Sequence, residues 1–125
     1  MSAPPPVRFN LAAHCLAAAD RVPDKAALMV AEGPRGRIAE TWTYAAFRDA
    51  ALAAAGGFAA AGLERGDRIL LRVGNTSLFP VLFLGAVAAG FVPIPTSTQL
   101  TGTEADLILA DSGARLVVGD GSGAM

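Results

Sequence analysis

Apolar residues along this chain gather in three short, dense runs: residues 69–73 (ILLRV), 91–94 (FVPI) and 116–118 (LVV). Their length and β-branched content suit strands buried on both faces. Between the first two lies residues 78–89 (LFPVLFLGAVAA), apolar all round, which reads as a deeply buried helix with Asn75 to Ser77 as caps and Pro80 in its first turn. Between the last two, Thr101 and Glu104 have the spacing of a capping box with Leu100 placed as a hydrophobic staple, and Gly113 closes the helix that follows. Strand, helix, strand, helix, strand predicts a parallel sheet with right-handed crossovers. Ligands of such sheets sit beyond the carboxyl ends of the strands. The hydroxyl-rich turn 95–99 (PTSTQ) lies at one of those ends.

Upstream, Asn10 is a good N-cap for a helix over 11–19, and Pro23 follows its end. Residues 26–31 and 38–42 read as strands joined by EGPRGR, a connection too short for a parallel crossover, so an antiparallel hairpin is expected. Thr43 then caps a long helix that runs to about residue 61 and stops at Gly62. Phe47, Ala51, Ala54 and Phe58 form its apolar face, which should lie against the sheet. Because Ala46 stands where a capping box needs an acid, Thr43 should cap alone. Gly56 and Gly57 inside this helix cost about 1 kcal/mol each relative to alanine, which predicts tight packing or a bend there. Residues 1–9 and 121–125 read as flexible tails, leaving 10–120 as one unit with no internal boundary or repeat.

Three of these stretches also resemble a known family. TWTYAAF (41–47), GLERGDRILLRVGN (62–75) and LGAVAAGFVPIPTSTQLTGTEADLILADSGARLVV (84–118) are similar to the first core motif, the segment after it and the second core motif of the adenylate-forming superfamily. That superfamily comprises acyl- and aryl-CoA synthetases, nonribosomal peptide adenylation domains and luciferases, and the resemblance covers roughly 10–120. It implies an α/β fold in which a parallel sheet with flanking helices follows an N-terminal antiparallel hairpin, a partial N-terminal domain of an AMP-binding synthetase. The PTST turn, in place of an acidic one, leans towards the CoA ligases.

Composition narrows the partners. A chain of 125 residues with 53% hydrophobic and 17% charged residues is one folded domain, and a net charge of -1 without a basic run argues against nucleic acid. Residues 73–103 carry no charge, yet Gly90, Pro93 and Pro95 interrupt them, so no membrane span is expected. His14 and Cys15 interrupt a weak signal-like run near the N-terminus, and a cytoplasmic location is expected. Cys15 should be a small buried apolar side chain, and His14 should lie on a helix surface or pack. Asp67, Glu104, Asp106 and Asp111 have no partners at metal-ligand spacing.

Adenylate formation needs a phosphate-cradling loop, magnesium and a lysine against developing charge. The resemblance implies ATP, Mg and CoA for a complete family member, with a Ser/Thr/Gly-rich loop ending in Pro-Lys. None of these motifs occurs here, the sole lysine is Lys25, and residues 119–123 (GDGSG) have neither a lysine nor a following helix. No catalytic residue is therefore assigned. Asn75, Thr96, Ser97 and Thr98 are the polar groups at strand ends, and the resemblance places the 95–98 turn near the channel of the pantetheine arm of CoA. The expected function is a scaffold segment of an AMP-dependent acyl/aryl-CoA synthetase. A free-standing module binding CoA or a nucleotide, and an assembly protein associating through exposed apolar surface, are the alternatives.

Overall fold

The computed structural model describes residues 8–120. Most of the expected tail 1–9, and all of 121–125, lie outside that range. The chain opens with α1 (Leu11–Leu16), which tightens into a 3₁₀ turn at Ala17–Asp20 rather than continuing as one α-helix to 19. Asn10 caps it as expected, its Oδ1 accepting from the Ala13 N–H at 3.1 Å, and its Nδ2 also donates to the Val87 carbonyl at 2.8 Å. Strands β1 (Ala26–Glu32) and β2 (Arg37–Thr43) pair antiparallel, forming the expected hairpin.

Next comes α2 (Tyr44–Ala60), capped by Thr43 alone: its Oγ1 accepts from the Ala46 N–H at 3.1 Å. The chain then alternates through β3 (Arg68–Arg72), α3 (Leu78–Ala88), β4 (Val92–Pro95), α4 (Gly102–Ser112) and β5 (Leu116–Gly119). The three strands form a parallel sheet in the order β4-β3-β5, with Ile69 in register with Pro93 on one side and Leu116 on the other. Gly62 and Gly113, the predicted stops, and Gly90, which follows α3, all adopt positive φ.

Alternation along β3 sorts its side chains to two faces. Ile69 and Leu71 join Phe58, Ala86 and Phe91 in one apolar cluster, with Leu116 and Val118 packed against it. Leu70 and Arg72 face α4 instead. Ile69, Leu70 and Leu71 are the large side chains buried most completely, so β3, rather than α3, is the most buried element. In α3 only Val81, Gly85 and Ala86 are fully buried.

The apolar face of α2 is as predicted, but its main partner is α3, and it reaches the sheet chiefly through Phe58. Close approach between the two helices falls on Gly85. A Cβ there would meet the Ala54 Cβ at 2.7 Å and the Ala51 carbonyl oxygen at 2.9 Å. Gly56 and Gly57, by contrast, face open space on an exposed part of an unbroken helix, which corrects the expectation of tight packing there. Cys15 is exposed, not buried, because the inward side of α1 is taken by Ala12 and Leu16.

The outer strand β4 protects its own edge. Val92 and Thr96 donate to the carbonyls of Asp67 and Leu71 on the β3 side, each at 2.9 Å. Pro93 and Pro95 therefore occupy the alternate positions, whose N–H groups would otherwise point out of the sheet. A free edge without donors is a poor template for another strand.

The glycines yield substitutions of opposite sign. Gly85→Ala should lower stability by about 1–3 kcal/mol through overpacking against α2. Gly56→Ala should instead raise it by roughly 0.5–1 kcal/mol, because an exposed helical glycine lacks only conformational restraint. Urea denaturation of the two variants checks this, and equal effects would contradict the packing described.

Candidate functional site

The carboxyl ends of β3 and β4 build a cleft of about 310 Å³ lined by Val73, Gly74, Asn75, Phe79, Ser97, Thr98 and Gln99. Of the four polar residues expected at these strand ends, Asn75, Ser97 and Thr98 thus come together. Thr96 does not line the cleft. Its N–H and its Oγ1 both donate to the Leu71 carbonyl, at 2.9 and 3.0 Å, which fixes the turn to the end of β3.

The turn itself is locally determined. The Ser97 hydroxyl oxygen accepts from the Gln99 N–H at 3.0 Å, and the Ser97 carbonyl accepts from the Leu100 N–H at 3.3 Å. Serine and threonine stabilise such turns by bonding to nearby backbone. The Ser97 hydroxyl keeps its proton to donate, and Asn75 is exposed beside it with an amide that can both donate and accept. The next turn belongs to α4, whose N-cap shows the predicted reciprocal pair: Thr101 N–H to the Glu104 carboxylate at 2.9 Å and Glu104 N–H to the Thr101 hydroxyl at 3.2 Å.

Arg72 holds this turn from beneath. It is the buried charged side chain of the core, 4% exposed, and its Nη2 donates to the Leu100 carbonyl. Sequence reading passed over it because an arginine at the end of an apolar run looks like a boundary. Its acceptor is a main-chain carbonyl 28 residues away, and a backbone partner leaves no complementary side chain to notice.

Two other polar contacts shape this end of the sheet. The chain runs from β3 to β4 on one side and then crosses to β5 on the other, so the direction of winding reverses at β3. The crevice between β3 and β5 is the switch point of such a fold, and there the Gly74 N–H donates to the Asp120 carboxylate at 2.6 Å. Ser77, expected as a cap, makes no side-chain bond to α3. Its hydroxyl donates to the Glu40 carboxylate at 3.1 Å, and the Trp42 indole N–H reaches the same carboxylate at 3.3 Å. Glu40 thereby ties the hairpin to the start of α3.

Among the described residues, no group of three or more His, Cys, Asp or Glu side chains is arranged to hold a metal. The donor set also does not fit Mg-ATP. Lys25 lies at the start of the hairpin, and the cleft at the strand ends carries amide and hydroxyl groups without a cation. Those groups do fit a neutral amide-bearing chain. No described helix is long and apolar enough to cross a membrane.

Comparison with known proteins gives concordant matches. A family model described as AMP-binding enzyme matches residues 15–124. The 4-hydroxybenzoate--CoA/benzoate--CoA ligase of Rhodopseudomonas palustris is 39% identical over 93 residues, which is 70% of this chain and 17% of that protein. The long-chain-fatty-acid--CoA ligase FadD13 of Mycobacterium tuberculosis is 38% identical over 76 residues, 61% of this chain and 15% of that protein. The chain thus spans less than a fifth of the length of either of these relatives. Among solved structures, a fatty acyl CoA synthetase of Mycobacterium tuberculosis superposes with a TM-score of 0.79 at 30% identity, over 92% of this chain and 22% of that one. A benzoate CoA ligase from Burkholderia xenovorans gives 0.77 at 30% identity over the same shares. An isolated N-terminal domain from Mycobacterium tuberculosis, FACL13, gives 0.77 at 29% identity over 91% of this chain and 28% of that one.

Removing the Arg72 clamp should loosen the turn without dismantling the sheet. Arg72→Met deletes a charge-assisted hydrogen bond, a loss of about 1.5–3 kcal/mol. Amides of residues 97–101 should then exchange with solvent faster than those of α2, after correction for the global change. Uniform acceleration across the chain would contradict a local clamp.

Proposed function

Because the chain belongs to the AMP-binding enzyme family, we propose that it supplies the N-terminal α/β segment of an AMP-forming acyl- or aryl-CoA synthetase. The complete reaction would join a carboxylic acid to CoA, converting ATP to AMP and pyrophosphate. The names of its relatives, an aryl-CoA ligase and a fatty-acyl-CoA ligase, support the class of chemistry. On this reading residues 10–120 act as one structural unit, working in the cytoplasm.

The observation that carries the proposal is the pairing of a family match over 15–124 with a cleft that offers only neutral polar groups. Adenylation requires cationic stabilisation of phosphoryl charge and a cradle for the phosphates. The cleft at the described strand ends provides neither, so on this reading the segment serves as scaffold, with Mg-ATP held by other parts of the enzyme. The residues present here have a narrower role. Asn75, Ser97 and Thr98 would receive the amides of the pantetheine arm of CoA, with Phe79 as an apolar wall. Thr96 and Arg72 would hold the turn in place.

Binding without chemistry is the neighbouring reading, favoured by the same cleft. Self-association is the third. It has one specific support, the edge strand β5, where Val117 is 39% exposed, whereas the prolines of β4 weigh against pairing on the opposite side.

The three readings separate in three measurements. ATP-pyrophosphate exchange by this polypeptide should equal the buffer blank, and turnover above it would overturn the scaffold assignment. CoA titrated into labelled protein should shift the amides of residues 75, 97 and 98 weakly, with a Kd in the millimolar range expected for one wall of a site. Tight saturable binding would favour the free-standing module, and concentration-dependent dimerisation by sedimentation would favour assembly.

A further inference from the structure

Helix α4 is hydrogen-bonded to side chains of β3 at both of its ends. Arg68 and Arg72 lie four residues apart on β3 and so project from the same face. Arg68 Nη1 donates to the Ser112 carbonyl at 2.8 Å, at the last residue of α4. Arg72 Nη2 donates to the Leu100 carbonyl, just ahead of the Thr101 cap. Between these anchors Ala105 of α4 and Leu70 of β3 are both buried.

The gap under the helix is a half-enclosed cavity of about 130 Å³. Leu70 and Val117 form its floor, and Gly102, Ala105 and Leu109 form its roof at the spacing of one helix face. Leu70 is 1% exposed and Ala105 is 9% exposed, so the inner end of the space is buried, whereas Val117, 39% exposed, and Asp106 lie at its open rim. The small residues at 102 and 105 leave the space open. A mostly apolar space of this size has room for one aromatic ring, as an enclosed cavity of about 150 Å³ lined by Leu, Ile and Phe accepts benzene.

We propose that the space between α4 and strands β3 and β5 is a binding site for a small uncharged apolar molecule the size of one aromatic ring. The charge class follows from the lining. Its two charged residues are Arg72 and Asp106, of opposite sign, so the site favours neither an anion nor a cation. Arg72 is moreover engaged with the Leu100 carbonyl, and an incoming carboxylate would have to disturb the anchor of α4. This site lies under α4, apart from the cleft formed by Asn75, Ser97 and Thr98, and does not depend on the reading proposed for that cleft.

Toluene titrated into methyl-labelled protein tests the proposal. The methyl resonances of Leu70, Leu109 and Val117 should shift and saturate together, and the thermal midpoint should rise by several degrees at saturation. Ala105→Leu, which fills the cavity, should abolish the saturable shifts and raise the midpoint without ligand. Benzoate at equal concentration should leave the three methyls unmoved. No saturable shift in the wild-type protein would overturn the proposal, and that result stands even if the variant does not fold. So would toluene binding unchanged in Ala105→Leu, while benzoate binding as tightly as toluene would overturn the uncharged class.

Discussion

The structure depends on the burial of one short strand. β3 contributes three consecutive large apolar side chains, Ile69, Leu70 and Leu71, none more than 1% exposed. At about 1.5–3 kcal/mol per fully buried aliphatic side chain, these three supply an amount comparable to the net stability of a small domain. Burial on both faces requires something above and something below. The α3 side is filled by Phe58, Ala86 and Phe91, and the other side is roofed by α4. Parallel pairing on both edges then satisfies the backbone of β3, which would otherwise be buried without partners.

The two faces are built differently, and that difference shapes what each can do. On the α3 side the fit is tight, to the point that Gly85 cannot carry a side chain without pushing on α2. On the α4 side the strand ends in arginines at 68 and 72, whose guanidinium groups donate to backbone carbonyls at the two ends of the helix. One layer is a packed core and the other a braced roof. Arg72 also sets the 97–101 turn, so the cleft at the strand ends and the cavity under α4 share one positioning side chain. Glu40 plays a corresponding part at the start of α3, where it fastens the hairpin to that helix.

Much of this was legible because it is encoded locally. The run ILLRV reads as a strand buried on both sides, Gly62, Gly90 and Gly113 sit where left-handed backbone ends a helix, and the Thr101–Glu104 pair is its own signature. Thr43 capping alone followed from the alanine at 46. What was not legible depends on distance. The roles of Gly56, Gly57 and Gly85 are decided by what lies across the helix, and sequence treats all three alike. The exposure of Cys15 depends on how α1 turns against the rest, with Ala12 and Leu16 taking its inward side. Three of the four site residues converge because they occupy adjacent strand ends, while Thr96 is drawn inward by the same Leu71 carbonyl that its own backbone uses.

Native-state hydrogen exchange tests the primacy of β3 directly. If the strand organises the domain, the amides of residues 69–71 will exchange only through global unfolding, with protection equal to the stability measured by denaturation. The β1–β2 hairpin, whose strands keep no fully buried side chain, will open at lower free energy. Maximum protection in the hairpin or in α2, with β3 exchanging through partial opening, would contradict the account.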